Sequence, residues 1–163
     1  MKRMIVVPTI LAVVAVLGVL PVAFASNSTT FNGSFSGTFA ITSTTPQTIT
    51  GTATGHYEHL GKTTILAKAT ITGASECGGF TATEEDTFTA ANGDQIFATA
   101  IDIACPTSSP NIILLTASST ITGGTGRFVH ASGSFTTQVF AAAASPTATT
   151  GTSSGATTGT IVY

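Results

Sequence analysis

The chain has 163 residues, and only 7% of them are charged, against about 25% in ordinary soluble domains. Five cations oppose seven acids, for a formal net charge of −2. No nucleic-acid partner is expected, because the chain lacks a basic face that would replace counterions on phosphates. The exterior must consist largely of Thr, Ser, Gly and Ala, a composition that suits self-association or a cell-surface layer.

The first 25 residues have the pattern of a secretory signal. Lys2 and Arg3 precede an apolar run, and Ala23-Phe24-Ala25 fits the small-x-small pattern of a cleavage site. We therefore predict a signal peptide at 1–25 and one secreted or cell-surface domain at 26–163. Contact with a membrane is expected only if this segment stays uncleaved as an anchor.

Alternation with period two runs through the rest of the chain and predicts strands with one buried face. In the first strand, Phe31, Phe35 and Phe39 share one face, and serine and threonine share the other. The pattern predicts eight strands, at 31–41, 48–60, 62–73, 80–90, 95–105, 112–122, 128–140 and 157–163. The low-complexity segment 145–159 is predicted to be a mobile loop, and the alanine run 141–144 is the one place where a helical turn is expected.

Eight antiparallel strands form either a sandwich or a closed barrel. Closure removes the exposed edges that strands poor in charge would otherwise present for aggregation. We therefore predict an all-β fold, a single eight-stranded antiparallel β-barrel after the signal peptide.

The hairpin over 80–105 carries two acids on its apolar face. Asn92-Gly93 is typical of a two-residue turn, which would pair Glu84 with Ile101. Phe88, Phe97 and Ile101 then face the interior together with Glu84 and Asp86, one pleat apart at roughly 7 Å. Burial and mutual repulsion would raise the pKa of both carboxyls, as in general acids. The alternative is a longer turn or bulge that shifts the register by one, turns both acids to solvent and brings Glu85 inward.

Other residues complete a candidate site inside the barrel. Tyr57 and His59 share the inward parity of the second strand and are predicted partners for Glu84 and Asp86. Cys77 and Cys105 lie near the open end of the hairpin, so a disulfide is expected between them. The sequons at Asn27 and Asn32 are candidate glycosylation sites.

Two further kinds of site are not expected. His56 and Glu58 point away from His59 and Tyr57 on a strand, so three metal ligands do not converge. The glycine cluster in ITGGTGRF (121–128) lacks the lysine and the following helix of a phosphate-binding loop, and it is predicted to be a tight turn between strands. We expect no metal and no cofactor.

The turn GGTGRF, followed within a few residues by small residues and glycine, resembles the corresponding turn of dirigent proteins and allene oxide cyclases. Together with AANGD at 90–94, it also resembles small secreted bacterial proteins that share this barrel. The resemblance implies an eight-stranded barrel that holds or orients a small hydrophobic molecule, and several such proteins are dimers or trimers. Only the turns match the motifs of this family, so no residue of this chain is assigned as a counterpart of the family's catalytic residues.

Three functional hypotheses follow. The first is a non-enzymatic secreted barrel that binds a small hydrophobic ligand. The second is an isomerase or cyclase that uses Glu84 or Asp86 with Tyr57 and His59 on an apolar substrate. The third is a glycosylated, self-assembling surface or filament subunit, which would be a homo-oligomer.

Overall fold

The protein is a closed antiparallel β-barrel, described by a computed structural model over residues 28–145 and 147–163. Eight long strands close the barrel, and a two-residue strand is added beside the last of them. This confirms the predicted fold class; the signal segment lies outside the described residues. Among the described residues, no helix is long and apolar enough to span a membrane.

The strands follow one another around the barrel in chain order. Strand β1 pairs with β9, and β9 closes the ring by pairing with both β2 and β8. The strands are β1 (Thr29–Thr30), β2 (Gly33–Thr44), β3 (Gln47–Tyr57), β4 (Gly61–Ala74), β5 (Phe80–Ala90), β6 (Gln95–Pro106), β7 (Ile112–Gly124), β8 (Ser132–Ala143) and β9 (Thr150–Val162).

Three sequence-based expectations are wrong at the end of the chain. The segment expected to be a loop supplies most of β9, and the alanine run expected to turn as a helix extends β8. Strand β8 begins at Ser132 rather than at Phe128, because Gly126–Phe128 forms a 3-10 turn. The small residues Ser, Thr and Gly are accommodated in β9 because large inward side chains of β2 lie over its glycines. Cβ atoms at Gly151 and Gly155 would meet the rings of Phe39 and Phe35.

The β5–β6 hairpin has a longer turn than its Asn-Gly pair predicts. The Ala90 N–H donates to the Asp94 carbonyl over 2.9 Å, which leaves a three-residue loop in which Gly93 has φ of 89°. Glu84 therefore lies opposite Ala100 rather than Ile101. The register shifts by one residue, as in the alternative interpretation. The shift exchanges the inner and outer faces of β6, whereas the inner and outer faces of β5 stay as predicted.

The consequence is a different inner face for β6. Ile96, Ala98, Ala100, Asp102 and Ala104 are buried, whereas Phe97 is half-buried and Ile101 and Ile103 are 66% and 50% exposed on the outside. Glu84 and Asp86 keep their inward parity, and Glu85 is exposed. The predicted inward positions of Phe97 and Ile101 are thus wrong, and an unforeseen acid, Asp102, takes an inward position.

Candidate functional site

The barrel contains a cavity of about 140 Å³ with mostly apolar walls. Its lining includes side chains of seven strands, because every strand except β1 and β6 contributes an inward residue. The lining residues used below are Phe39, Ile49, Gly51, Tyr57, Phe80, Glu84, Asp86, Phe88, Ile113, Leu115, Thr137 and Ala141.

An aromatic cluster closes one end of the barrel, and we call it the floor. Phe31, Tyr57, Phe88 and Phe135 are buried, and their neighbouring ring centroids are 5.2 to 5.9 Å apart. Tilted and edge-on aromatic rings at this spacing attract one another, and this attraction adds to the stabilisation that comes from burying their apolar area. The floor therefore blocks passage through the barrel.

The opposite end, which we call the mouth, is open. Its described loop residues are 45–46, 75–79, 107–111, 144–145 and 147–149. Inward residues here are only half-buried, among them Phe39, Ile49, Phe80 and Ile113, which indicates that the cavity reaches solvent. The expected disulfide is present and links Cys77 in a mouth loop to Cys105 on β6, with 5.5 Å between the Cα atoms.

Three carboxyl groups, which we call the carboxyl cluster, lie on the inner faces of β5 and β6: Glu84, Asp86 and Asp102. Each lies between two alanines on the neighbouring strands: Ala69 and Ala100 for Glu84, Ala67 and Ala98 for Asp86, and Ala82 and Ala117 for Asp102. Alanine leaves room for a carboxyl group and offers it no side-chain hydrogen bond.

Burial shifts the titration of the whole carboxyl cluster, because an apolar environment disfavours the charged form. It raises the pKa of Asp102 to about 6. Burial, followed by the charge of Asp102, raises the pKa of Asp86 to about 7. Burial, followed by the charges of Asp86 and Asp102, raises the pKa of Glu84 well above its usual range. The cluster can therefore hold or release protons near neutral pH.

Two of the buried polar groups lack protein partners. Asp102 is fully buried, and neither of its carboxyl oxygens has a hydrogen-bond partner in the described chain. The hydroxyl of Ser119, 4% exposed, also lacks one. Ser119 and Glu84 lie on either side of Ala100, so both belong to one row across β5, β6 and β7.

A chain of hydroxyl groups lies beside the carboxyl cluster. The Tyr57 hydroxyl is 3.2 Å from that of Thr157, which is 3.0 Å from that of Thr137. Burial raises the pKa of Tyr57 to about 12; the Thr157 hydrogen bond opposes this shift, and the charge of Asp86 adds to it. Tyr57 is therefore a neutral hydrogen-bonding group at the floor.

The described cations all lie outside the barrel. Lys62, Lys68 and Arg127 are exposed, so the described part of the chain supplies no counterion to the carboxyl cluster. No three His, Cys, Asp or Glu side chains of 28–145 and 147–163 are arranged to hold a metal ion.

The expected inward position of His59 is wrong. Strand β3 ends at Tyr57, and His59 lies in the following turn with φ of 67°, exposed beyond the floor. Its Nε2 is 3.0 Å from the Thr30 carbonyl oxygen, and its own carbonyl accepts a hydrogen bond from Arg127. His59 thus joins the chain segments outside the floor and takes no part in the cavity.

The glycine-rich stretch serves the same end of the barrel. Arg127 lies 3.6 Å from the Asp94 carboxylate, and its guanidinium stacks on the ring of the fully buried Phe128. Gly126 has φ of 56°, and a Cβ there would meet the Asp94 carboxylate. This stretch connects two strands, as predicted, but Gly123 and Gly124 end β7 and the connection to β8 runs over 125–131.

Asn27 and Asn32 are the two candidate glycosylation sites. Asn27 lies outside the described residues. Asn32 is half-buried, its side-chain oxygen is enclosed, and its carbonyl accepts the N–H of Glu58.

Three of the four residues that the sequence predicted in the lumen line the cavity. Several residues near them were not predicted. Glu84, Asp86 and Tyr57 line the cavity. Asp102 was missed because the assumed turn placed it outward. Thr137 and Thr157 were missed because threonine is frequent throughout this chain and gives no signal of its own.

Comparison with protein-family models, with curated protein sequences and with solved structures finds no match to this chain.

Proposed function

We propose that the protein is a secreted or cell-surface barrel that binds a small hydrophobic molecule in its cavity without transforming it. The observation that carries this proposal is the cavity, which is apolar at the mouth and closed at the floor. Dry apolar cavities of about 150 Å³ bind ligands the size of benzene. The signal pattern at 1–25 and the Cys77–Cys105 bond support an oxidising, extracellular compartment.

We also infer membership of the allene oxide cyclase and dirigent-like barrel superfamily. The support is the eight-stranded antiparallel barrel together with the GGTGRF turn at its closed end.

Native mass spectrometry of residues 26–163, purified from the natural secretory route, tests ligand binding directly. A mass that is lost on denaturation would support a bound small molecule. Titration with toluene, followed by NMR shifts of residues that line the cavity, tests the same point without the natural ligand.

A lumen-filling variant makes this test specific. A Cβ at Gly51 would make ordinary contacts, 3.6 Å from the Ala67 Cβ, so we expect Gly51→Leu to fill cavity space. The matched control is Gly73→Leu on the exposed part of β4, where the nearest atom is 3.6 Å away. Toluene binding should be lost in the first variant and kept in the second; binding that survives in both contradicts the proposal.

A second candidate is an isomerase or cyclase. The raised pKa values of Glu84 and Asp86 favour it, since a protonated carboxyl beside an apolar cavity is a general acid. The test is conversion of apolar compounds extracted from the native culture medium, followed by mass spectrometry. Conversion by the wild type that is lost in Glu84→Gln/Asp86→Asn would favour catalysis over simple binding.

A third candidate is self-assembly of the barrel into a surface subunit. Ile101, Ile103 and Phe140 expose about half or more of their area on the outside. Light scattering on the wild type and on Ile101→Thr/Ile103→Thr tests whether this face joins two copies. A homo-oligomer that dissociates in the variant supports this role.

A further inference from the structure

The cavity changes character along the barrel axis. On β5, the inward residues run from Phe80 at the mouth through Glu84 and Asp86 to Phe88 at the floor. The mouth is otherwise apolar, with Ile113 and Leu115 on β7. A ligand that matches both regions has an apolar part toward the mouth and a polar part toward the floor.

The polar region carries one sign of charge. The carboxyl cluster contributes three acids, and the buried Tyr57 on β3 is a further titratable group that senses the charge of Asp86. Lys62 and Lys68 on β4 point outward and are exposed. A buried carboxylate without a counterion is unfavourable, so a cationic ligand would be favoured over a neutral or an anionic one.

Unmet hydrogen bonding adjoins the two lining acids, although Asp102 and Ser119 do not themselves line the cavity. Both oxygens of the fully buried Asp102 and the hydroxyl of Ser119 lack protein partners. They lie within the inner face shared by β5, β6 and β7, around Ala100. Buried polar groups in folded proteins are nearly always paired, so this region favours a hydrogen-bond donor.

We propose that the cavity binds a small primary ammonium compound with an apolar tail, its ammonium group against Glu84 and Asp86 and its tail toward the mouth. This inference rests on the proposed function and adds the chemical class of the ligand. An ammonium group is compact and has three donors, which suits acceptors separated by alanines. Asp102, diagonal to Glu84 on β6 and outside the cavity lining, contributes its charge.

The test compares three probes of equal chain length at pH 8 by isothermal titration calorimetry: octylamine, octanol and octanoate. We expect octylamine to bind at least about tenfold more tightly than octanol, because charge-assisted hydrogen bonds exceed neutral ones by that order. Octanoate should bind more weakly than octanol, because it adds a negative charge to a region that is already acidic.

Substitutions test whether Glu84 and Asp86 cause the preference for octylamine over octanol. Glu84→Gln/Asp86→Asn should remove the preference for octylamine while octanol still binds. The matched control Glu85→Gln, which removes an exposed acid from the outer face of the same strand, should keep it. Gly51→Leu should abolish binding of both probes.

Proton release is a second readout. Near pH 6.5 part of the carboxyl cluster is protonated, and a bound ammonium would lower the pKa of Glu84 and Asp86 and release protons. The measured enthalpy of octylamine binding should then depend on the ionisation enthalpy of the buffer, and that of octanol should not.

The outcomes separate this inference from the proposed function. Equal binding of octanol and octylamine, or tighter binding of octanoate, overturns the ammonium proposal and leaves the apolar binding site standing. Octylamine binding that persists in Gly51→Leu also overturns it, because the amine would then bind elsewhere. No binding of any probe contradicts both.

Discussion

Asp102 on β6 lies opposite Ala82, two residues along β5 from the Glu84–Ala100 pair, and this diagonal relationship puts a third carboxyl beside Glu84. The charge of Asp102 contributes to the raised pKa of both Glu84 and Asp86. The interior of this barrel is therefore apolar in most of its walls and acidic along one hairpin.

Stability should fall as the pH rises. Each cluster acid has a higher pKa in the folded state than in the unfolded chain, so the native protein binds more protons between the two values. The stabilising protonation is complete below about pH 4 and is lost as pH rises through about 6 for Asp102 and about 7 for Asp86. Urea unfolding between pH 4 and pH 8 measures this trend, and a barrel that is more stable at pH 8 contradicts it.

Asp102→Asn should stabilise the protein at pH 8 and change little at pH 4. The amide is close in shape to the protonated acid, and at pH 8 it removes a charge that is fully buried. A pKa raised to about 6 corresponds to roughly 3 kcal/mol in the free energy of unfolding. The control Glu85→Gln, on the exposed face, should stay within about 0.5 kcal/mol of wild type at both pH values.

Tyr57→Phe should lower the free energy of unfolding by about 1 kcal/mol, the usual net value of one buried hydrogen bond. The ring keeps its place among Phe31 and Phe88, and only the 3.2 Å contact with Thr157 is lost. Tyr163→Phe is the matched control, since Tyr163 is 49% exposed. Equal effects of the two substitutions would show that the buried hydroxyl contributes nothing.

Removal of the disulfide should destabilise the barrel without changing its fold. Cys77 and Cys105 are 28 residues apart, and closing a loop of this length contributes roughly 3–4 kcal/mol in the chain-entropy description. Cys77→Ser/Cys105→Ser should therefore unfold at lower urea concentration while its circular dichroism spectrum stays that of the wild type. Unchanged stability of the double variant would contradict this expectation.

Alternation predicted the strands and the inward side of β5, because Phe80 and Phe88 share one face of 80–90 and threonines share the other. It failed for β6, where Ile101 and Ile103 on one face and Ala98 and Ala100 on the other are both apolar. The turn then decides the register, and a three-residue loop and a two-residue loop contain the same Asn-Gly pair.

The outcome for His59 has a similar local cause. The two-residue period predicted that β3 continues past Tyr57, whereas the strand ends there. His59 then adopts a left-handed backbone conformation, which is rare for residues other than glycine. The sequence predicted only the last part of β9, at 157–163. The first part was missed because Ser, Thr and Gly resemble a flexible segment until Phe35 and Phe39 of β2 are known to cover its glycines.

The pairing of Thr29 with Ile161 brings the two ends of the described chain together beside the floor, away from the mouth. A tether attached at either end would hold the barrel by its closed side. An affinity tag, a surface linkage or a fused partner at those positions would therefore leave the entrance facing outward, and immobilised protein would keep its access to solutes.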